Sequence, residues 1–68
     1  MNATYKNIKK LVKTASDKTL KEMYLELDKN IENADIAETL VYTAVTDEME
    51  NRNIITFNEE TFQYEFIA

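Results

Sequence analysis

No glycine and no proline occur in this chain, so every helix end and turn must be built from residues that carry a Cβ. Asparagine becomes the main punctuation, because it tolerates the left-handed conformation that commonly ends helices. Asn30, Asn33, Asn51, Asn53 and Asn58 fall where the hydrophobic pattern places element boundaries.

Between those marks the pattern is helical for most of the chain. Tyr5, Ile8, Leu11, Val12 and Ala15 form one apolar stripe, which predicts a helix over about 4–14. Ser16 is placed to cap a second helix over 17–31, with Asp17 favourable against its dipole, and Thr19 to Glu22 offers a second capping-box reading. Leu20, Met23, Tyr24, Leu27 and Ile31 recur at the spacing of a core-facing stripe, with Leu25 lying off it. Asp35 followed by Glu38 opens a third helix over 35–51. Ile36, Ala37, Leu40, Val41, Ala44, Val45 and Met49 cover more than half of its circumference, and Tyr42 widens the arc. A helix apolar over so wide an arc is expected to be central. Glu48 lies within it, and Arg52 at i+4 is in position to pair with it.

Alternation takes over at the C-terminal end. Residues 54–57 and 62–67 read as two strands, with Phe62, Tyr64 and Phe66 set against Gln63 and Glu65. Asn58-Glu59-Glu60-Thr61 suits a four-residue loop on a type I turn. The register that follows sets Phe57 against Phe62 and Ile55 against Tyr64, with Phe66 on the same face. Since a lone two-stranded hairpin is not stable in water, that face must cover the helices or another chain. The expected fold class is therefore α+β and mostly helical: three helices followed by a β-hairpin, as one small domain over 1–68.

Sixty-eight residues bury only about 60% of the unfolded surface, and domains of that size usually add a disulfide, a metal or a partner chain. The chain has no Cys and no His. Disulfides, the usual zinc ligand sets, thiol nucleophiles and imidazole bases are excluded together. Well-packed helices and self-association remain, so a homo-oligomer, in the first place a dimer, is expected. The first fifteen residues contain no apolar leader segment, and no stretch approaches the roughly 20 apolar residues of a membrane span. These features together predict a cytoplasmic chain that does not enter a membrane. Its heavy use of Lys, Asn, Ile and Glu is a flavour common in AT-rich bacterial and phage genomes.

The net charge of −5 hides a division. Six lysines stand against Asp17 up to Lys21, whereas Lys29 and Arg52 stand against twelve acids afterwards. On the first helix Lys6, Lys9, Lys10 and Lys13 gather within roughly a third of the circumference. This face is a candidate for binding an anion or a partner, and it has two plainer explanations: a solvated face, or docking on the chain's own acidic body.

Catalytic signals are scarce. Ser16 and the threonines have no base to activate them, Glu48 is the one candidate for a perturbed carboxylate and its place near the helix end lets it reach solvent or Arg52 instead, and no phosphate-cradling loop exists without glycine. Asp28, Asn30 and Glu32 imitate the start of a calcium-binding EF-hand loop. The positions that require Gly and a bidentate Glu hold Asn33 and Thr39, so calcium is not expected there. No cofactor, metal or catalytic residue is expected. The order of elements is also that of a winged helix, in which the third helix would enter the DNA major groove. Here that helix carries Asp35, Glu38, Asp47, Glu48 and Glu50, and the hairpin tip carries Glu59 and Glu60, all of which repel phosphate. The expected function is that of a small, non-enzymatic accessory or regulatory protein that binds another protein, of the kind carried by phages and mobile elements. The hairpin residues Phe57, Phe62, Tyr64 and Phe66 are its candidate interaction patch. The alternative is a DNA-associated regulator that uses the lysine face of the first helix.

Overall fold

Short polar side chains start two of the three helices. The computed structural model describes residues 2–67, with side chains from residue 5 to residue 67. Helix α1 spans Asn2–Thr14, and α2 spans Asp17–Lys29. Ser16 caps α2 through its hydroxyl, which accepts from the Thr19 amide at 3.2 Å, so the later Thr19–Glu22 box is not used. A single 3₁₀ turn at Ile31–Asn33 follows, where the expected helix would have continued. Helix α3 spans Ile36–Asn51 and opens on a full capping box. The Glu38 amide donates to Asp35 Oδ1 at 2.8 Å, and the Glu38 carboxylate accepts from the Asp35 amide.

The end of α3 shows how a chain without glycine stops a helix. Asn53 takes φ 61°, the left-handed region. Its N–H donates to the Glu50 carbonyl at 3.0 Å, and the Ile54 N–H reaches the Met49 carbonyl at 2.8 Å. These two bonds make a Schellman motif, and the side chains of Met49 and Ile54 are both buried beneath it. The chain then enters β1 (Ile55–Asn58), which pairs antiparallel with β2 (Gln63–Phe66). Three helices followed by a two-stranded hairpin make a small, mostly helical α+β fold.

The hairpin register differs from the expected one. Ile55 pairs with Phe66 and Phe57 with Tyr64, a displacement of two residues. Two residues is one full pleat repeat, so Ile55, Phe57, Tyr64 and Phe66 still share a face. The cause is Asn58. Its Oδ1 accepts from the amides of Glu60 at 2.9 Å and Thr61 at 3.4 Å, so the turn begins after it and Asn58 stays in the strand opposite Gln63. The four loop residues become Glu59 to Phe62, and Phe62 leaves the strand to occupy the left-handed position at φ 57°.

Helix α3 packs against α1, α2 and β1, as expected of a central element. One buried cluster joins Val12, Leu20, Tyr24, Ala44, Val45, Met49, Ile54 and Ile55. Leu20, Val45 and Met49 are the largest fully buried side chains, each contributing about 1.5–3 kcal/mol by burial. Three residues assigned to stripes by spacing are exposed instead. Leu11 is 71% exposed because it lies roughly 80° from the centre of the line through Tyr5, Ile8, Val12 and Ala15 that faces α3. Ile36 is 76% exposed and Ala37 is exposed as well, because the buried part of α3 is confined to Ala44–Met49, which joins one cluster with Val12, Ile54 and Ile55. Thr46, outside the expected arc, is buried there. Its hydroxyl donates into the turn above, to the carbonyls of Tyr42 and Thr43.

Candidate interaction surface

The two faces singled out by sequence stand on different sides of α3. Lys6, Lys9, Lys10 and Lys13 are all exposed along α1. Lys9 and Lys13 edge a groove of about 400 Å³ whose opposite wall, on α3, carries Asp47, Glu48 and Glu50. The basic face therefore borders the chain's own carboxylates, although among the described residues none of these four lysines comes within ion-pair distance of one. Lys9 Nζ instead lies 5.6 Å from the centre of the Tyr5 ring.

Below that groove Arg52 joins three elements. Nε donates to Glu48 Oε2 at 2.8 Å, the i+4 pair that the spacing suggests. The terminal nitrogens go further. Nη1 donates to the Ala15 carbonyl and to Asp17 Oδ1, both at 2.9 Å, and Nη2 donates to the carbonyls of Lys13 at 2.9 Å and Val12 at 3.5 Å. The carbonyls of Lys13 at the end of α1 and Ala15 just beyond it are thus capped by a guanidinium from the end of α3, which also reaches the Val12 carbonyl that already accepts from the Ala15 amide. Glu48 and Asp17 both hold Arg52 more firmly protonated than an ordinary arginine.

The hairpin face lies over α2 and the first half of α3. Tyr64 is half-buried there, while Phe57, Phe66 and Phe62 remain exposed, Phe62 by 79%. Buried Tyr24 and half-buried Tyr42, both assigned by spacing to core stripes, underlie this face. The rings of Tyr24 and Tyr42 stack at 5.8 Å between centroids, and Tyr64 stands edge-on to both, at 6.3 and 6.5 Å. Phe66 meets Tyr24 edge-on at 5.6 Å. Phe57 packs on Tyr64 at 5.1 Å and carries Phe62 on its outer side at 6.4 Å. A cleft of about 330 Å³ opens among Tyr24, Tyr42, Tyr64, Phe57 and Phe62. Asp28, from the last turn of α2, lines it as well and accepts a hydrogen bond from the Tyr42 hydroxyl at 3.2 Å. Burial raises the pKa of the Tyr42 phenol well above its ordinary value, helped by Tyr24 and the Asp28 carboxylate, and burial likewise raises that of Tyr24.

Sequence spacing brought Phe57, Tyr64 and Phe66 together on one face, and the structure sets Phe62 beside them from the turn. It placed Tyr24 in the core, where it is buried, and missed that Tyr24, Tyr42 and Asp28 also line this cleft. A signal was available: a tyrosine in a core stripe must bring its hydroxyl to a partner or to water, so two of them on facing helices mark where a core reaches the surface. A second apolar groove, of about 470 Å³, lies between α2 and α3 around Met23, Leu27 and Val41. Among the described residues no group of three or more acidic side chains is placed to hold a metal ion, and no helix is long and apolar enough to cross a membrane. No protein-family model, curated protein or solved structure matches the chain.

Proposed function

We propose that this chain is a small, non-enzymatic accessory or regulatory protein that acts by binding another protein through its hairpin face. One observation carries the reading. The aromatic surface of the hairpin continues into the Tyr24–Tyr42–Tyr64 cleft, and Phe57, Phe62 and Phe66 stay open to solvent beside it. Aromatic side chains that are rigid, amphipathic and clustered around a concavity are the usual anchors of protein interfaces. Phe62 strengthens the reading, since a residue held in a costly left-handed conformation yet left exposed gives its own core very little. The chemistry legible in the sequence agrees: hydroxyls without a base, and neither Cys nor His.

The exposure of Lys6, Lys9, Lys10 and Lys13 favours a second reading, a DNA-associated regulator that grips phosphate with α1. It is the weaker of the two, because the α3 wall of the neighbouring groove is acidic.

The test is recovery of tagged protein from a bacterial lysate with and without nuclease, beside a Phe57→Ser/Phe62→Ser variant shown by circular dichroism to be folded. A protein partner that survives nuclease and is lost with the variant is the expected result. Equal recovery by wild type and variant overturns the hairpin assignment. Nucleic acid that co-purifies and is lost when the four lysines become Glu moves the assignment to α1. Sedimentation of the purified chain decides whether the partner is a second copy.

A further inference from the structure

We infer that the cleft between α2, α3 and the hairpin receives a cationic side chain, lysine or arginine, from the protein partner; this rests on the interaction reading above and names what occupies the site. Five rings border the cleft: Tyr24, Tyr42, Tyr64, Phe57 and Phe62. Tyr24 and Tyr42 stack at 24° from parallel, and the other rings are turned against them and against one another. Tyr64 stands at 84° to Tyr24 and 72° to Tyr42, Phe57 at 69° to Tyr64, and Phe62 at 67° to Phe57. Rings turned against one another present both faces and edges to the space they share. The negative faces attract a cation at up to about 6 Å from a centroid, by about 0.5–1 kcal/mol per exposed ring and more where water is excluded.

A purely apolar occupant would satisfy the rings but not Asp28. That carboxylate lies in the cleft wall, and the Tyr42 hydroxyl takes only Oδ1. A charged N–H donor from outside would complete it, and charge-assisted bonds of this kind are the stronger class. Among the described residues the cleft is lined by no basic side chain, so the chain supplies no internal cation to it. The surroundings carry the same sign. Glu59 and Glu60 are exposed on the hairpin tip next to Phe62, and twelve of the thirteen acids follow Lys21 in the sequence. Aromatic faces, a carboxylate with accepting capacity and a negative field agree on a positive guest. A volume of about 330 Å³ accommodates one side chain and not a folded element.

The measurement is an NMR titration of the intact chain, observing the backbone amides and the tyrosine and phenylalanine ring protons at fixed ionic strength. The probes are Nα-acetyl-arginine amide and Nα-acetyl-lysine amide, each against its uncharged counterpart, the citrulline and norleucine compounds. The charged probes are expected to shift the Tyr24, Tyr42 and Tyr64 rings saturably and to bind at least fivefold more tightly than the neutral ones. Comparison of the two charged probes tells which side chain the cleft prefers. Asp28→Asn, which keeps an acceptor for Tyr42, is expected to weaken the charged probes threefold or more and leave the neutral ones unchanged. Neutral probes that bind as well as charged ones overturn the inference, as do shifts confined to the Asp47–Glu50 wall. If a protein partner is captured and binds Asp28→Asn as tightly as wild type, the interaction reading stands and this inference fails. If the cleft takes the cations but no partner is captured, only the interaction reading fails.

Discussion

The Phe62 ring rests against that of Phe57 at 6.4 Å, edge to face, from a left-handed backbone position at φ 57°. An L-residue with a Cβ adopts that position at a cost of roughly 1–2 kcal/mol. The ring recovers only part of this, since 79% of the residue faces water and an aromatic pair that exposed is worth about 0.5 kcal/mol. The loop therefore holds Phe62 at a net loss to the fold, which is the pattern expected where a side chain serves a partner.

Replacing Phe62 by Asn, which tolerates the left-handed region, should stabilise the isolated chain by about 0.5–1 kcal/mol while weakening partner binding. At roughly 4–8 °C per kcal/mol for a domain of this size, the thermal midpoint should rise by a few degrees. A midpoint that falls by that amount would make the ring part of the fold.

Arg52 should be irreplaceable by lysine. Its fork reaches Glu48, Asp17 and the carbonyls of Val12, Lys13 and Ala15 at once, whereas an ammonium cannot span them. Urea midpoints should fall in the order wild type, Arg52→Lys, Arg52→Met, with Glu48→Gln above both variants because the carbonyl contacts survive it. An Arg52→Lys variant as stable as wild type would reduce the cluster to a simple ion pair.

Asn53 offers the complementary backbone test. Its positive φ and the two Schellman bonds predict that Asn53→Gly equals or exceeds wild type, whereas Asn53→Ala loses about 1 kcal/mol in urea unfolding. Equal stability of the Gly and Ala variants would show that the helix end is not held in the left-handed form.

These residues also mark what a single sequence reveals. The starts of α2 and α3 were legible because Ser16 and the Asp35–Glu38 box act on amides three residues away. The shared face of Ile55, Phe57, Tyr64 and Phe66 was legible because alternation fixes parity. The register was not, since it turned on whether the Asn58 side chain or its backbone would satisfy the turn amides, a competition that leaves no periodic trace. Half of Arg52 was legible at i+4, while its carbonyl acceptors at and just beyond the end of α1 lie 37 to 40 residues earlier. The cleft follows the same rule: its hairpin rings lie close in sequence, but Asp28 and Tyr42 meet only because α2 and α3 pack side by side.

Alkaline pH should loosen that junction. Burial, with Tyr24 and Asp28 alongside, holds the Tyr42 phenol above its ordinary value near 10, and burial acts on Tyr24 in the same direction. Below about pH 10 the folded and unfolded chains both keep these protons, so the stabilisation is fully present. Above it the unfolded chain releases protons that the folded chain retains, and stability falls as pH rises toward the folded-state values. Thermal midpoints of wild type should drop progressively beyond pH 10, and those of Tyr42→Phe should drop less steeply, because one of the two retained protons is gone. At pH 7 the same variant should lose only the exposed bond to Asp28, about 0.5 kcal/mol. Every other ionisable side chain is common to both proteins, so the difference between the two slopes reports Tyr42 together with its coupling to Tyr24. Parallel slopes would mean that the Tyr42 hydroxyl ionises as freely in the folded chain as in the unfolded one, and that the α2–α3 junction is open to water at its base.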